Sequence, residues 1–311
     1  MCISDQPITE AYLAYQKELV DAGLLIPSGV KGVYGRSGLF EKVVDQFEAF
    51  ATRMGADANA EVMRFPPIFG RHTYMQTDHV ETMPDLMGSV NSFCGNEKEH
   101  RALIAKIEEK DENWCKDLTP TDVMLVPAAC YPLYPTASGS VLPEGGRTVD
   151  LKTFVFRHEP SDDPARMQIF RQREYVRLGT PEQALQHRNH WLQTAEGMHK
   201  ELGLEVEVVV ANDPFFGRGG RVMKATQREQ ELKFEIVTPI CSEEKPTAIT
   251  SCNCHLDHFG HSFNIKTADG EPAHTSCIGF GLERIALALF KTHGLDPSRW
   301  PEKVRKTLQW T

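Results

Sequence analysis

Apolar residues recur along the chain in two spacings, three-to-four and two, and the switches between them divide it into elements. Residues 8–22 read as a helix, with Ile8, Tyr12, Leu13, Leu19 and Val20 on one side. A Gly/Ser-rich turn runs from Ser28 to Gly38. Leu39 to Met54 carries Phe40, Val43, Val44, Phe47, Phe50 and Ala51 on a single helical stripe. Glu61 to Phe65 reads as a strand, closed by Pro66 and Pro67. Residues 95–118 form a charged helix or helix pair, and Val123 to Val126 a short strand. LKTFVFRH at 151–158 alternates as a strand does, and Met167 to Leu178 reads as its return partner across a polar turn at Ser161 to Ala165. Glu182 to Leu202 is a helix with Gly203 just past its end. Strands at Glu205 to Val210 and Leu232 to Val237 flank a basic helix at Gly220 to Glu231. Residues 246–266 read as a hairpin or irregular strands, and Gly279 to Phe290 as an apolar helix opening with two glycines. Strands dominate the centre without regular βαβ alternation. The pattern predicts an α+β protein, a mostly antiparallel sheet flanked by helices.

Composition narrows the class. With 311 residues and 41% hydrophobic composition the chain can bury a full core. The N-terminal stretch MCISDQPITEAYLAYQ lacks the basic and apolar regions of a secretory signal. No apolar run reaches membrane-spanning length. A cytoplasmic protein without membrane partners is expected, so the eight cysteines read as buried thiols or metal ligands rather than disulfides. The net charge of −9 argues against a nucleic-acid binder that works through phosphates.

The densest chemistry lies in the predicted hairpin. Arg157 and Glu159 are two apart, and Phe170 and Glu174 four apart, so each pair shares a strand face; Arg166 stands in the loop end between them. Such a face fits a polyanion with an aromatic base: guanidinium groups for phosphates, a ring to stack, a carboxylate to accept from an amine. A solvated face of cross-strand ion pairs is the alternative. Further along, Gly279 and Gly281 permit close approach of a ligand or another backbone, and Arg284 lies one turn into the helix after them.

FRxE followed by RxxxF, then a late GxGxER, resembles motifs 2 and 3 of the class II aminoacyl-tRNA synthetases. The long helix, strand and prolines at 39–67 resemble motif 1, which in that family forms the dimer interface. The resemblance implies one catalytic domain over 1–311, with an N-terminal segment at 1–38, motif 2 at 154–178 and motif 3 at 277–290. It implies that Arg157 holds the α-phosphate and the amino-acid carboxylate, Glu159 faces the adenine amine, and Phe170 stacks under adenine. Arg166 and Arg284 resemble the arginines on the γ-phosphate and on adenine's other face. The reaction implied is in-line attack of an amino-acid carboxylate on ATP, with Arg157 and Arg284 as the catalytic groups.

Cys130, Glu174 and Cys277 resemble the zinc ligands of methanogenic seryl-tRNA synthetases, and more closely those of their shortened bacterial relatives, the amino acid:[carrier protein] ligases. Three protein ligands leave a fourth Zn²⁺ position open for a substrate amine. The run CNCHLDHFGH, with Cys252, Cys254, His255, His258 and His261, is a rival metal cluster, but its spacings do not converge in a strand. It resembles instead the Ser-Asn-Cys strand that lines the ATP pocket, which places Ser251 and Asn253 near ATP. The family's magnesium-binding glutamate falls here on Ala248, leaving Glu235 as the substitute carboxylate for Mg²⁺.

Only residues 1–38 precede the first motif, and no sustained heptad is present. Binding of tRNA is therefore unexpected, and the resemblance points to an acidic, acyl-carrier-like partner with a phosphopantetheine arm. Within the helix placed at 217–231, Arg218, Arg221, Lys224 and Arg228 are the candidate docking cations, with Phe215 and Phe216 before them; a solvated basic face is the alternative. Glycine or alanine is the amino acid the resemblance implies. The remaining readings are a minimal seryl-type synthetase and a non-catalytic paralogue acting as sensor or regulatory subunit; the intact Arg157, Arg166 and Arg284 disfavour the latter.

Overall fold

The structure is a computed structural model that describes residues 6–310; the side chains at 6–8, 217–219, 226, 228 and 229 lie outside the description. In chain order the first elements are α1 (Gln6–Asp21), β1 (Leu25–Pro27), β2 (Tyr34–Arg36), α2 (Gly38–Met54) and β3 (Glu61–Arg64). Next come β4 (Ile68–Gly70), α3 (Arg71–Met75), α4 (His79–Thr82), β5 (Ser89–Ser92), α5 (Glu97–Glu108) and β6 (Thr119–Leu125). The central elements are β7 (Arg147–Phe156), β8 (Ile169–Gly179), α6 (Pro181–Glu201), β9 (Glu207–Val210) and α7 (Gly217–Glu229). The chain ends with β10 (Lys233–Thr238), β11 (Thr247–Leu256), α8 (His258–Ser262), β12 (His274–Gly281), α9 (Leu282–His293) and α10 (Glu302–Thr307).

Seven strands form the main sheet in the order β3-β7-β8-β12-β11-β10-β9, and a smaller sheet pairs β4-β6-β5. In the main sheet β3 pairs with β7 in parallel and every other pairing is antiparallel. The helical stripe from Phe40 to Ala51 is buried in full. It packs α2 on α9, with the Phe40 and Phe290 rings 5.7 Å apart. Helix α6 covers the same side: Trp191 stacks on Tyr175 of β8 at 4.4 Å. Thr180 caps α6 through the Gln183 amide, and Gly203, at φ +71, follows its end. On β8 the odd residues Arg173 and Tyr175 thus turn to the helices. The even residues Val176 and Leu178 join a second cluster with Cys130, Tyr134, Phe259 and Cys277 on the opposite face.

Three sequence expectations need correction. Strand β7 stops at Phe156, so Arg157 and Glu159 sit in an irregular segment where the Glu159 amide donates to the Arg157 carbonyl. Gly279 and Gly281 belong to β12 rather than to the helix, which starts at Leu282. An apolar run buried on both sides has no period that separates the two. Residues 246–266 hold one strand and the short helix α8, not a hairpin.

His199 on α6 is fully buried, bonded through Nε2 to Thr250 Oγ1 at 2.8 Å, and burial pulls its pKa down to about 3. Between pH 6.5 and that value the unfolded chain binds a proton that the folded chain refuses. Stability is therefore level above pH 6.5 and falls as pH drops through the window, by on the order of 1.4 kcal/mol per pH unit for this one group. Urea unfolding as a function of pH should show a shallower acid slope in His199→Gln. An unchanged slope would assign the acid sensitivity elsewhere.

Candidate active site

The site is assembled across the sheet. Strand register sets Glu174 of β8 opposite Gly279 of β12, Gly279 opposite Ser251 of β11, and Ser251 opposite Glu235 of β10. One row of side chains thus crosses four strands. Gly279 leaves a gap in that row: a Cβ there would stand 3.4 Å from Ser251 Oγ and 3.6 Å from Glu174 Cγ, within the space above the floor. Over this floor lies a cavity of about 460 Å³. Its wall includes Cys130, Arg157, Phe170, Glu174, Phe215, Glu235, Ser251, Asn253, Cys277 and Arg284 from the sequence-derived set.

At one point of the cavity, ligand atoms of Cys130, Glu174 and Cys277 lie within 4.8 Å of one another, and all three residues are buried. Cys130 comes from the turn after β6, Glu174 from β8 and Cys277 from β12. Burial, then the neighbouring Cys277, pushes the Glu174 carboxyl well above its usual range. Glu174 Oε1 accepts from the Ala129 amide at 3.1 Å, while its buried Oε2 has no partner. The hydrogen bond between the two thiols lowers Cys277 and raises Cys130. An unpartnered carboxylate oxygen beside two converging sulfurs is a donor set suited to Zn²⁺. Among the described residues no other cluster of this kind is present, and two of the rival histidines turn elsewhere: His258 approaches Asp78 at 3.5 Å and His261 approaches Asp257 at 3.3 Å. His255 stays beside the corner, with Nδ1 3.0 Å from Thr275 Oγ1 and Nε2 3.7 Å from Cys277 Sγ. Asn253 Nδ2 lies 3.4 Å from both Cys277 Sγ and Ser251 Oγ, tying the Cys-Glu-Cys corner to the nucleotide candidates.

A second corner gathers the arginines. The guanidinium carbons of Arg157 and Arg284 stand 5.8 and 5.5 Å from the centroid of the buried Phe170 ring. Arg157 Nε donates to the Pro127 carbonyl at 3.1 Å, and Arg284 donates to the Ala165 and Ala248 carbonyls, each at 2.9 Å. Burial, then Arg157 and Arg166, pulls the Arg284 pKa down to about 10. Glu159 and Arg166 are not in the cavity wall; they pair with each other at 2.8 Å. The loop carrying Arg166 is braced from the N-terminal region. Gln168 donates through its amide to Gly32 O and through Nε2 to Lys31 O, both at 2.7 Å. Gly32 has φ +75, which a side chain would strain, and a Cβ would meet Gln168 Cγ at 3.3 Å.

Sequence reasoning missed several residues of the wall: His79, Tyr131, Gln172, Asp213, Gln227 and Lys233. Lys233 was legible, two residues before Glu235 on one strand face; it pairs with Glu235 at 3.3 Å and with Asp213 at 2.6 Å. Burial alone would raise Asp213, but Lys233 and Gln227 outweigh it and hold the carboxyl at about 2. Gln227 is on α7, so this network fastens the basic helix to the cavity, with Gln227 Nε2 donating to Asp213 Oδ2 at 2.8 Å. Of the docking candidates, Arg221 and Phe216 are exposed and Lys224 is half-buried. The side chains of Arg218 and Arg228 lie outside the described residues.

Comparison with known proteins agrees with this architecture. The family described as tRNA synthetase class II core domain (G, H, P, S and T) matches residues 114–293. The chain is 41% identical to amino acid--[acyl-carrier-protein] ligase 1 of Bradyrhizobium diazoefficiens over 307 residues, 98% of this chain and 94% of that protein. It is 32% identical to the type-2 serine--tRNA ligase of Methanopyrus kandleri over 262 residues, covering 77% of this chain and 49% of that protein. The solved M. kandleri seryl-tRNA synthetase, in complex with A. aeolicus tRNASec, superposes with a TM-score of 0.80 at 22% identity. That match covers 95% of this chain and 60% of the other, and it shows the shared fold. No helix among the described residues is long and apolar enough to cross a membrane. The chain belongs to the amino acid--[acyl-carrier-protein] ligases, enzymes built on the class II tRNA synthetase core.

Proposed function

We propose that this protein activates glycine or alanine with ATP and Mg²⁺ and transfers it to the phosphopantetheine thiol of an acidic carrier protein. It would do so in the cytoplasm as a homodimer, with 1–311 acting as one catalytic domain. The observation that carries this reading is the single cavity joining an arginine–phenylalanine corner to a Cys-Glu-Cys corner. In the first step a carboxylate oxygen of the amino acid bonds to the α-phosphorus of ATP. The α–β P–O bond breaks and pyrophosphate leaves with the electron pair. Arg157 and Arg284 neutralise the developing charge, and Phe170 gives adenine an apolar face. Cys130, Glu174 and Cys277 would hold Zn²⁺, which supplies a Lewis-acid position for the substrate's amino group. Glu235 is the carboxylate available for Mg²⁺, in exchange for its contact with Lys233. In the second step the arm's thiol releases its proton to solvent, its sulfur bonds to the activated carbonyl carbon, and AMP leaves with the electron pair as the C–O bond breaks.

The test offers the enzyme, ATP, Mg²⁺ and glycine or alanine to a phosphopantetheinylated carrier and, separately, to bulk tRNA. Intact mass should rise on the carrier alone; aminoacylated tRNA instead would overturn the reading. The exposed Arg221 and its neighbour Lys224 are the docking cations this reading requires. In a Arg221→Glu, Lys224→Glu double variant, transfer is expected to fall about tenfold further than ATP–pyrophosphate exchange. Equal losses in both steps would remove α7 from carrier docking.

A further inference from the structure

His79 is 2% exposed, lines the reaction cavity, and has no hydrogen-bond partner at either Nδ1 or Nε2. Buried imidazoles are ordinarily satisfied by protein or water, because each unpaired polar atom costs its lost hydration. Burial, then the charge of Arg157, pulls its pKa down to about 4, so the ring is neutral in the working range and offers one N–H and one lone pair. Its position adds a second fact. The ring meets Tyr131 edge-on at 5.9 Å, and Tyr131 is the neighbour of the metal-ligand candidate Cys130. In the other direction, Thr82 of α4 and Met83 just after it line the cavity together with Phe215 and with Val222 and Met223 of α7. The Phe216 amide donates to the Thr82 carbonyl at 2.7 Å, which pins the start of α7 against α4. Val222 and Met223 are also exposed, so this apolar wall reaches solvent.

Resting on the carrier-ligase reading, we propose that His79 is the polar subsite for the amide-bearing arm of the acceptor thiol, between the α4–α7 wall and the metal corner. The arm enters along an apolar lining and ends in a thiol that must reach an amino acid held near Cys130. A secondary amide presents one acceptor and one donor, the complement of a neutral imidazole. No other unpaired buried donor–acceptor ring among the described residues lines the cavity.

The experiment compares acylation of free pantetheine with acylation of 2-mercaptoethanol, a thiol without amides, by wild type, His79→Phe and His79→Asn. The readout is the ratio of kcat/KM for the two thiols, with ATP–pyrophosphate exchange measured alongside to report folded enzyme. His79→Phe should lose about tenfold in the ratio, and His79→Asn, which keeps a donor and an acceptor, should recover most of it. A ratio unchanged in His79→Phe overturns the subsite while leaving the ligase reading intact. A wild type that performs exchange but acylates neither pantetheine nor a pantetheinylated carrier overturns the ligase reading and the subsite together.

Discussion

Cys277→Ser is expected to strip the protein of zinc and to lower amino-acid-dependent ATP–pyrophosphate exchange by about 10²–10³-fold, the scale of losing one preorganised electrostatic contact at a reacting centre. The argument starts from three donor atoms within 4.8 Å, all buried. Without a cation that corner leaves Glu174 Oε2 unpartnered and its carboxyl pushed toward protonation by burial and by Cys277. A bound cation reverses both. Serine has nearly the size of cysteine but a hydroxyl that stays protonated, so it is a poor ligand for a borderline-soft ion. With only three protein ligands, losing one removes a third of the site, whereas a closed four-ligand site would retain three. Elemental analysis after gel filtration reads the metal directly, and a chelator series on wild type should reproduce the same loss of exchange. Cys252→Ser is the control: that thiol is fully buried but outside the cavity wall, and its variant should keep zinc. Full zinc content and full exchange in Cys277→Ser would remove the metal from the mechanism.

The sequence was informative where one element decides the outcome by itself. The stripe of α2, the alternation of β7 over 151–156 and the glycine just past the end of α6 follow from local spacing and local hydrogen bonding, and they stand where the spacing puts them. The expected α+β sheet with mostly antiparallel pairing is present. What spacing could not give is register. That Glu174 lies opposite Gly279, and Gly279 opposite Ser251, depends on which strands become neighbours, a property of the whole chain. Motif resemblance named candidate residues but not their contacts. Asn253, expected beside ATP, lies in the shared wall and also reaches Cys277, and Glu159 and Arg166 meet each other outside that wall. His79 had no local signal: it opens the four-residue helix α4, preceded by Asp78 at φ 57, and gains meaning only when the fold sets it beside Tyr131.

Arg284→Ala is expected to lower exchange by about 10²–10³-fold while leaving the thermal midpoint of the ATP-free protein unchanged or raised. Arg284 is half-buried, and among the described residues it forms no ion pair. Its two side-chain bonds go to backbone carbonyls, and the like charges of Arg157 and Arg166 act on it more strongly than the opposing carboxylates of Glu159 and Asp163. A charge kept in that state costs the empty fold stability and is balanced when a polyanion enters. The geometry adds a steric requirement. A base held between Phe170 and Arg284 needs two van der Waals contacts, about 7 Å in all. The present separation is 5.5 Å, so the guanidinium must draw back when the base binds. Its hydrogen bond to Ala165 in the motif 2 loop would move with it, coupling nucleotide entry to the loop that carries Arg166. Arg284→Lys keeps the charge but loses the flat face and the forked donors, so it should restore little exchange. Thermal shift with saturating ATP separates binding from folding. Wild type should gain about 2.7 kcal/mol at a hundredfold excess of ATP over Kd, and Arg284→Ala should gain little at the same concentration. A variant that unfolds earlier without ATP yet keeps the full ATP-induced shift would make Arg284 a structural residue and assign the nucleotide to Arg157 and Phe170 alone.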